Sequence, residues 1–308
     1  MIRKDFALCF NDSYVPFASV TIKSIFCNAK ESDDIHIHIV SDYISDENCR
    51  FLQELGSHIH ICMINSILMD FLLLNGGHMH GIEFCCPNIH KVLYLDCDIV
   101  VNDSLDSLFA MDMGNKSVAG CVDVQHYSAD TYERLEYSRD KGYICSGVLM
   151  MNLDKWREKE LSARITEYSK QNSNKILFPD QDAINYVCQD DKIILSPRFG
   201  VLVPFCRHKE FMLEHKREME ELMDSPAIVH YAGYQPWIYC KNKSMHSYLW
   251  WSAYDSLQSF KEIKITYYGS MFRYMLRYVL SVTHVFPKNS RLHINQAEFN
   301  LQMQQNSD

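Results

Sequence analysis

The chain has 308 residues, 47% of them hydrophobic and 22% charged, with a formal net charge of −9. That length supplies a core for one large domain, or for one domain with an appendage. The acidic balance argues against nucleic acid as a partner, and with no apolar stretch after Met1 a secretory signal is not expected. The 12 cysteines are scattered, without a C-x-x-C pair. Cys9, Cys62 and Cys121 lie in apolar runs where a free thiol serves as a small core residue, so a disulfide framework is not expected and a reducing cytoplasm is.

Phe6 to Phe10 reads as a first buried strand, broken by Asn11-Asp12-Ser13-Tyr14. Pro16 at a first-turn position then opens a helix to Asn28. Ile35 to Val40 is a second strand. Ser45 is an N-cap for an acidic-starting helix through Leu55, and His58 to Ile64 is a third strand. This β-α-β-α-β rhythm predicts a parallel sheet with right-handed crossovers. There is no G-x-G-x-x-G and no P-loop, so ligand phosphates need another partner.

Lys91 to Asp98 reads K-V-L-Y-L-D-C-D. Its apolar run is a strand covered on both faces. Asp96 and Asp98, two apart in extended backbone, can face one hard cation beyond the carboxyl end of that strand, where open α/β sheets bind ligands. The alternative is a solvated acidic turn. His36/His38, His58/His60 and His78/His80 each put two imidazoles on one strand face. With no third ligand in sequence reach, they are not read as zinc sites.

Further on, residues 104–109 are helical, Val118 to Val122 is a strand, and Arg134 to Lys141 is read as a solvated charged surface. Tyr143 to Leu153 is an apolar segment containing Ser146-Gly147, where glycine marks a close approach. Asp154 to Ser169 is an amphipathic helix, Pro179 opens another, Glu210 to Met223 is a charged helix, and Ile228-Val229-His230 is a short strand. Asp180 could cap its helix. From residue 261 the texture changes. Six lysines and arginines face the single Glu262 across 261–292, within an aromatic run. That pattern fits either a peripheral, interfacial helix attracted to anionic lipid or a helix packed on the domain. It is too short and too charged to span a bilayer. Asn300 to Asp308 reads as a frayed tail.

Four segments in this order resemble the retaining glycosyltransferases of family eight, over roughly residues 5 to 255. They are K-V-L-Y-L-D-C-D-I-V-V (91–101), Y-I-C-S-G-V-L-M-M-N-L-D-K-W-R (143–157), P-D-Q-D-A-I-N (179–185) and H-Y-A-G-Y-Q-P-W (230–237). The resemblance implies an α/β fold of GT-A type: one Rossmann-like domain (1–260) with a mixed, mostly parallel sheet, and a helical C-terminal appendage (261–308). It implies a metal, Mn²⁺ or alternatively Mg²⁺, held by Asp96, Asp98 and His230. UDP-glucose or UDP-galactose is the implied donor and a glycan or lipid-linked glycan the acceptor. Asn11, Asp12 and Tyr14 would meet the uridine, and the Cys97 backbone the ribose. Ser146, Gly147, Gly233 and Gln235 would contact the donor, with Asp180 and Gln181 at the reacting face. Asp123 would lie near the acceptor or simply hold a turn.

Three positions depart from the family pattern. The arginine before the metal strand falls near Met79, the lysine before Pro-Trp is Gln235, and the asparagine before Ser-Gly is Cys145, removing a hydrogen bond to the sugar. These departures motivate the alternative of a catalytically weak or inactive nucleotide-sugar-binding partner protein.

Overall fold

The computed structural model describes residues 2–64, 80–202, 209–216, 222, 224–239, 245–257, 266–267, 271–286, 288, 293–294, 296 and 299–300. His78, Met79, the proposed boundary at 260/261, much of the basic segment and the tail 301–308 lie outside the described residues.

Seven strands form the central sheet, in the order β3-β2-β1-β4-β7-β6-β8. They are β1 (Ile2–Cys9), β2 (Asp33–Ser41), β3 (Ile59–Met63), β4 (Lys91–Leu95), β6 (Val118–Val122), β7 (Ile144–Asn152) and β8 (Lys192–Leu195). The expected parallel array holds from β3 through β4. Only β7 runs the other way, against both β4 and β6. Alternation sends Phe6, Leu8, Ile37, Ile39, Leu93 and Leu95 to one buried layer under the helices Val15–Cys27 and Asp46–Glu54. Ala7, Val40, Val92, Leu149 and Met151 face the other layer, with Trp156, Ile165 and Ile184 from the helices Leu153–Glu158, Leu161–Gln171 and Pro179–Val187. Period-two side-chain direction on a sheet buried on both faces requires this two-layer covering.

A second sheet, β5 (Ile99–Val101), β10 (Ile228–His230) and β9 (Val201–Leu202), leaves the first at the D-C-D turn. The antiparallel β5/β10 register sets His230 opposite Ile99, and Tyr231 N donates to Asp98 O at 2.9 Å. Backbone pairing therefore carries a residue from late in the chain to the acidic turn. Behind it, Trp250 and Trp251 of the helix Ser247–Asp255 are fully buried, and Trp237 stacks on Phe17 at 4.1 Å.

Three expectations change. The long helix from Asp154 is two helices, divided where Glu160 takes a left-handed φ of 51°. Arg134 is not solvated: it ends the helix Ala129–Leu135 with an 11% exposed side chain and an ion pair at 2.7 Å to the fully buried Asp182. Cys62 is not a free core thiol; it forms a disulfide with Cys85, tying β3 to the short helix His80–Cys85. Among the described residues eight cysteines stay free beside that one pair.

Candidate active site

Asp96 and Asp98 lie at the carboxyl end of β4, and His230 ends β10 beside them. His230 Nε2 is 3.1 Å from Asp98 Oδ1 and 3.6 Å from Asp96 Oδ2. One donor atom from each of the three lies within 4.8 Å of the others. Two carboxylates and an imidazole converging in this way suit a divalent cation, and the imidazole shifts preference from Mg²⁺ towards a transition metal such as Mn²⁺. Burial disfavours charge on His230, but Asp98 outweighs it and holds the imidazole pKa well above its usual value. Burial also opposes ionisation of Asp98, which His230 more than offsets, leaving that carboxyl below its usual range. Asp96 is displaced upward, by burial and by Asp98. Two carboxylates this close cannot both ionise freely without positive charge between them.

The surroundings keep the triad in place. Tyr94, on the same strand face as Asp96, donates to Asp96 Oδ1 at 2.7 Å. Asp96 N donates to Gly147 O at 2.9 Å. A Cβ on Gly147 would stand 2.4 Å from His230 Cε1 and 2.5 Å from Asp96 Oδ2, so β7 passes directly under the site only because residue 147 has no side chain. Cys145 Sγ sits 3.6 Å from His230 Nδ1. The residue standing in for the family asparagine thus touches the far side of the imidazole, where outer contacts orient a ligand ring. Gln235 Nε2 donates to Asp98 Oδ2 at 3.3 Å.

Two cavities meet at the acidic turn. One, about 420 Å³, is lined by Asn11, Tyr14, Asp42, Cys97, Gln235 and Trp237 as well as both aspartates. The other, about 490 Å³, is lined by Asp123, Cys145, Ser146, Gly147, Asp180, Gln181, His230 and Gly233 beside the same aspartates. Tyr14 is 48% exposed, its ring set edge-on to Phe17 at 5.5 Å. Asn11 caps a short turn through Ser13 N, at 3.2 Å. Asp12 is turned elsewhere: its Oδ1 accepts from Ser45 N and Asn48 Nδ2, each at 2.7 Å, and it lines neither cavity. The Cys97 thiol points towards Cys9 O at 3.9 Å, away from the carboxylates.

Across the second cavity, Gln181 Oε1 accepts from Ser146 N at 3.0 Å and Gln181 Nε2 donates to Tyr143 OH at 3.3 Å. Burial and the nearby Asp96 raise the Asp180 pKa. Asp123 caps the next turn through Gln125 N at 2.8 Å, as the turn reading expected, and it also lines the cavity. Asp182 works behind the site: besides Arg134 it accepts from Tyr143 OH at 2.6 Å and from Leu177 N and Phe178 N, fixing the start of the helix Pro179–Val187. Sequence reading quoted Trp237 only as part of its motif and gave no site role to Tyr94 or Asp42, which line the first cavity. Of those two, only Tyr94 had a local signal, two residues before Asp96 and hence on the same side.

Comparison with known proteins fits this geometry. The model of glycosyl transferase family 8 matches residues 79–241. A putative glycosyltransferase of Haemophilus influenzae is 25% identical over 203 residues, covering 61% of this chain and 60% of that protein. Lipopolysaccharide 1,2-glucosyltransferase of Escherichia coli is 25% identical over 269 residues, covering 82% of this chain and 75% of its own length. The crystal structure of the galactosyltransferase LgtC with donor and acceptor sugar analogs superimposes with a TM-score of 0.72 at 22% identity, covering 84% of this chain and 98% of LgtC. The chain therefore has the fold of that glycosyltransferase, and it belongs to glycosyl transferase family 8.

Proposed function

We propose that the chain is a metal-dependent, retaining hexosyltransferase that moves glucose or galactose from a UDP-sugar to a glycan or lipid-linked glycan in cell-surface polysaccharide or lipopolysaccharide synthesis. The carrying observation is the triad Asp96, Asp98 and His230 at the boundary of two cavities. A sugar nucleotide has the same division: a base and ribose, a diphosphate, then a hexose that must meet an acceptor. In this reading the uracil lies over Tyr14 with Asn11 at its edge, the Cys97 backbone meets the ribose, and the hexose enters the cavity of Ser146, Gly147, Asp180 and Gln181. Gly233 and Gln235 flank the diphosphate. Asp96, Asp98 and His230 would hold Mn²⁺, or Mg²⁺ less favourably, which supplies positive charge to the leaving diphosphate.

The Gln181 amide is a poor nucleophile, and its oxygen is committed to Ser146 N. We favour attack of the acceptor hydroxyl from the face that UDP leaves. The bond from the anomeric carbon to the phosphate oxygen breaks, the new glycosidic bond forms, and the hydroxyl proton passes to the departing phosphate oxygen. Gln181 and Asp180 then orient the sugar, and retention follows without a covalent enzyme intermediate.

No helix among the described residues is long and apolar enough to cross a membrane. The helix Met271–Val282 exposes Phe272, Met275, Leu276, Val279 and Val282. Their spacing of three and four residues makes one apolar stripe, which supports a peripheral contact with the cytoplasmic face of the membrane.

The deciding experiment is UDP release from UDP-glucose and UDP-galactose with Mn²⁺ and a panel of glycan acceptors. Turnover with product of unchanged anomeric configuration is expected, and Asp96→Ala should abolish metal-dependent UDP binding. Saturable UDP binding with neither hydrolysis nor transfer for any acceptor would instead leave a nucleotide-sugar-binding protein.

A further inference from the structure

The histidine pairs of β2 and β3 acquire in three dimensions the partner that sequence spacing withheld. The parallel register sets Ile37 against Ile59 and His38 against His60. His36-x-His38 and His58-x-His60 thus form a two-by-two array on one sheet face. His36 stacks on His58 at 4.5 Å and His38 on His60 at 4.9 Å. Asp34, two residues before His36, joins the outer corner. Its Oδ1 is 3.0 Å from His36 Nε2 and 4.0 Å from His58 Nε2. One donor atom from each of these three lies within 4.8 Å of the others.

We propose that Asp34, His36 and His58 form a second metal site, selective for a borderline transition dication, Zn²⁺ above all, that pins the edge strand β3 to β2. It stands near the amino end of β2, whereas Asp96 and Asp98 lie beyond the carboxyl end of β4. Ligand atoms around a tetrahedral zinc with bonds of 2.0–2.1 Å are about 3.3 Å apart, so the measured 3.0 and 4.0 Å bracket the requirement. Two imidazoles and one carboxylate leave a fourth position for water. Side-chain exposure of 49% at His58 and 32% at Asp34 gives the ion a way in.

The surrounding contacts match a ligand set. His36 presents Nε2 to Asp34, while its Nδ1 lies 3.1 Å from His60 Nε2, which can accept its proton and fix the ring. His38 is spent elsewhere, Nε2 against Asp5 Oδ1 at 2.8 Å, with Asp5 also held by Arg3. An imidazole-rich set disfavours Mg²⁺, and the metals competing with zinc would be Ni²⁺ and Cu²⁺.

The test is Zn²⁺ titration of chelator-stripped, full-length protein by calorimetry, with stoichiometry checked by elemental analysis. In a protein carrying Asp96→Ala and Asp98→Ala, one Zn²⁺ equivalent should still bind and raise the melting temperature, and Mg²⁺ should not. Adding His58→Ala should weaken that binding at least tenfold, and Asp34→Asn should do the same. His90→Ala, a change at an exposed histidine paired with Asp154, should leave it intact. In the otherwise unaltered protein, His58→Ala should remove one equivalent whatever the acidic turn binds, which separates this site from the proposed transferase centre. The half-exposed His58 can be replaced without opening the core, and circular dichroism verifies the fold. No Zn²⁺ bound in the double variant, or equal affinity after His58→Ala, would overturn the site.

Discussion

A methyl group at position 147 would overlap His230 and Asp96, both closer than any relaxed contact allows. Gly147→Ala should therefore leave a folded protein, at a cost of about 1–3 kcal/mol for overpacking, in which Mn²⁺-dependent UDP binding by calorimetry falls at least tenfold. Unchanged affinity would mean that the triad is not where the metal sits. Gln235 argues the opposite case. Its amide reaches Asp98 where the family pattern has lysine, so on the proposed reading a fixed positive charge is missing beside the diphosphate. Gln235→Lys should restore a charge-assisted contact on the order of 1.5–3 kcal/mol, read as roughly tenfold or more tighter UDP binding in chelator. The wild-type protein should bind UDP in chelator barely at all. That Asp96, Asp98 and His230 converge was legible because a strand end and a short strand carry them within motifs. Motif position says nothing of where a carboxylate turns, and Asp12 Oδ1 accepts from Ser45 N and Asn48 Nδ2.

Among the elements, the helix Pro179–Val187 depends on a partner that local pattern conceals. Arg134 sits in a charged stretch and reads as solvated, yet it neutralises Asp182 under the first turn of that helix. Removing one member of a buried pair leaves an uncompensated charge, costing about 3–5 kcal/mol. Arg134→Met should lower the urea midpoint by a corresponding amount and weaken donor binding, because Asp180 and Gln181 ride on the same turn. Arg134→Lys should recover part of both. Strand positions were readable from apolar runs bounded by turns. The reversed direction of β7 was not, since a strand buried on both faces carries no mark of its neighbours' polarity. Nor was the β2/β3 register that collects the histidines, because pairing between strands is a property of the sheet.

For the whole molecule, acid stability and the proposed membrane contact are tested at different places in the chain. Burial alone would raise the Asp5 pKa, but hydrogen bonds from His38 and Arg3 outweigh it and bring it down to about 2, from 3.8. A carboxyl depressed on folding stabilises above its unfolded pKa and loses that contribution as pH falls through the folded one. About 2 kcal/mol should therefore disappear between pH 4 and pH 2. Asp5→Asn should be less stable than wild type in urea at pH 7 and should approach it near pH 2. At the other end, Leu276→Glu with Val279→Glu should abolish sedimentation with anionic vesicles while leaving UDP binding unchanged. Vesicle binding equal to wild type would place that apolar stripe against protein instead. The family and its fold were legible from four separated motifs. The Cys62–Cys85 bridge was not, because cysteine spacing does not encode which thiols meet.

The join between the two sheets has a temporal meaning as well. Gln235 meets Asp98 across 137 residues of sequence, and His230 arrives almost as late. At about 5–20 residues per second of synthesis, the nascent chain displays its acidic turn for several seconds to nearly half a minute before β10 exists to close it. The first parallel strands can form while that turn is still bare carboxylate, and the triad is complete only once the last pieces of the small sheet have left the ribosome.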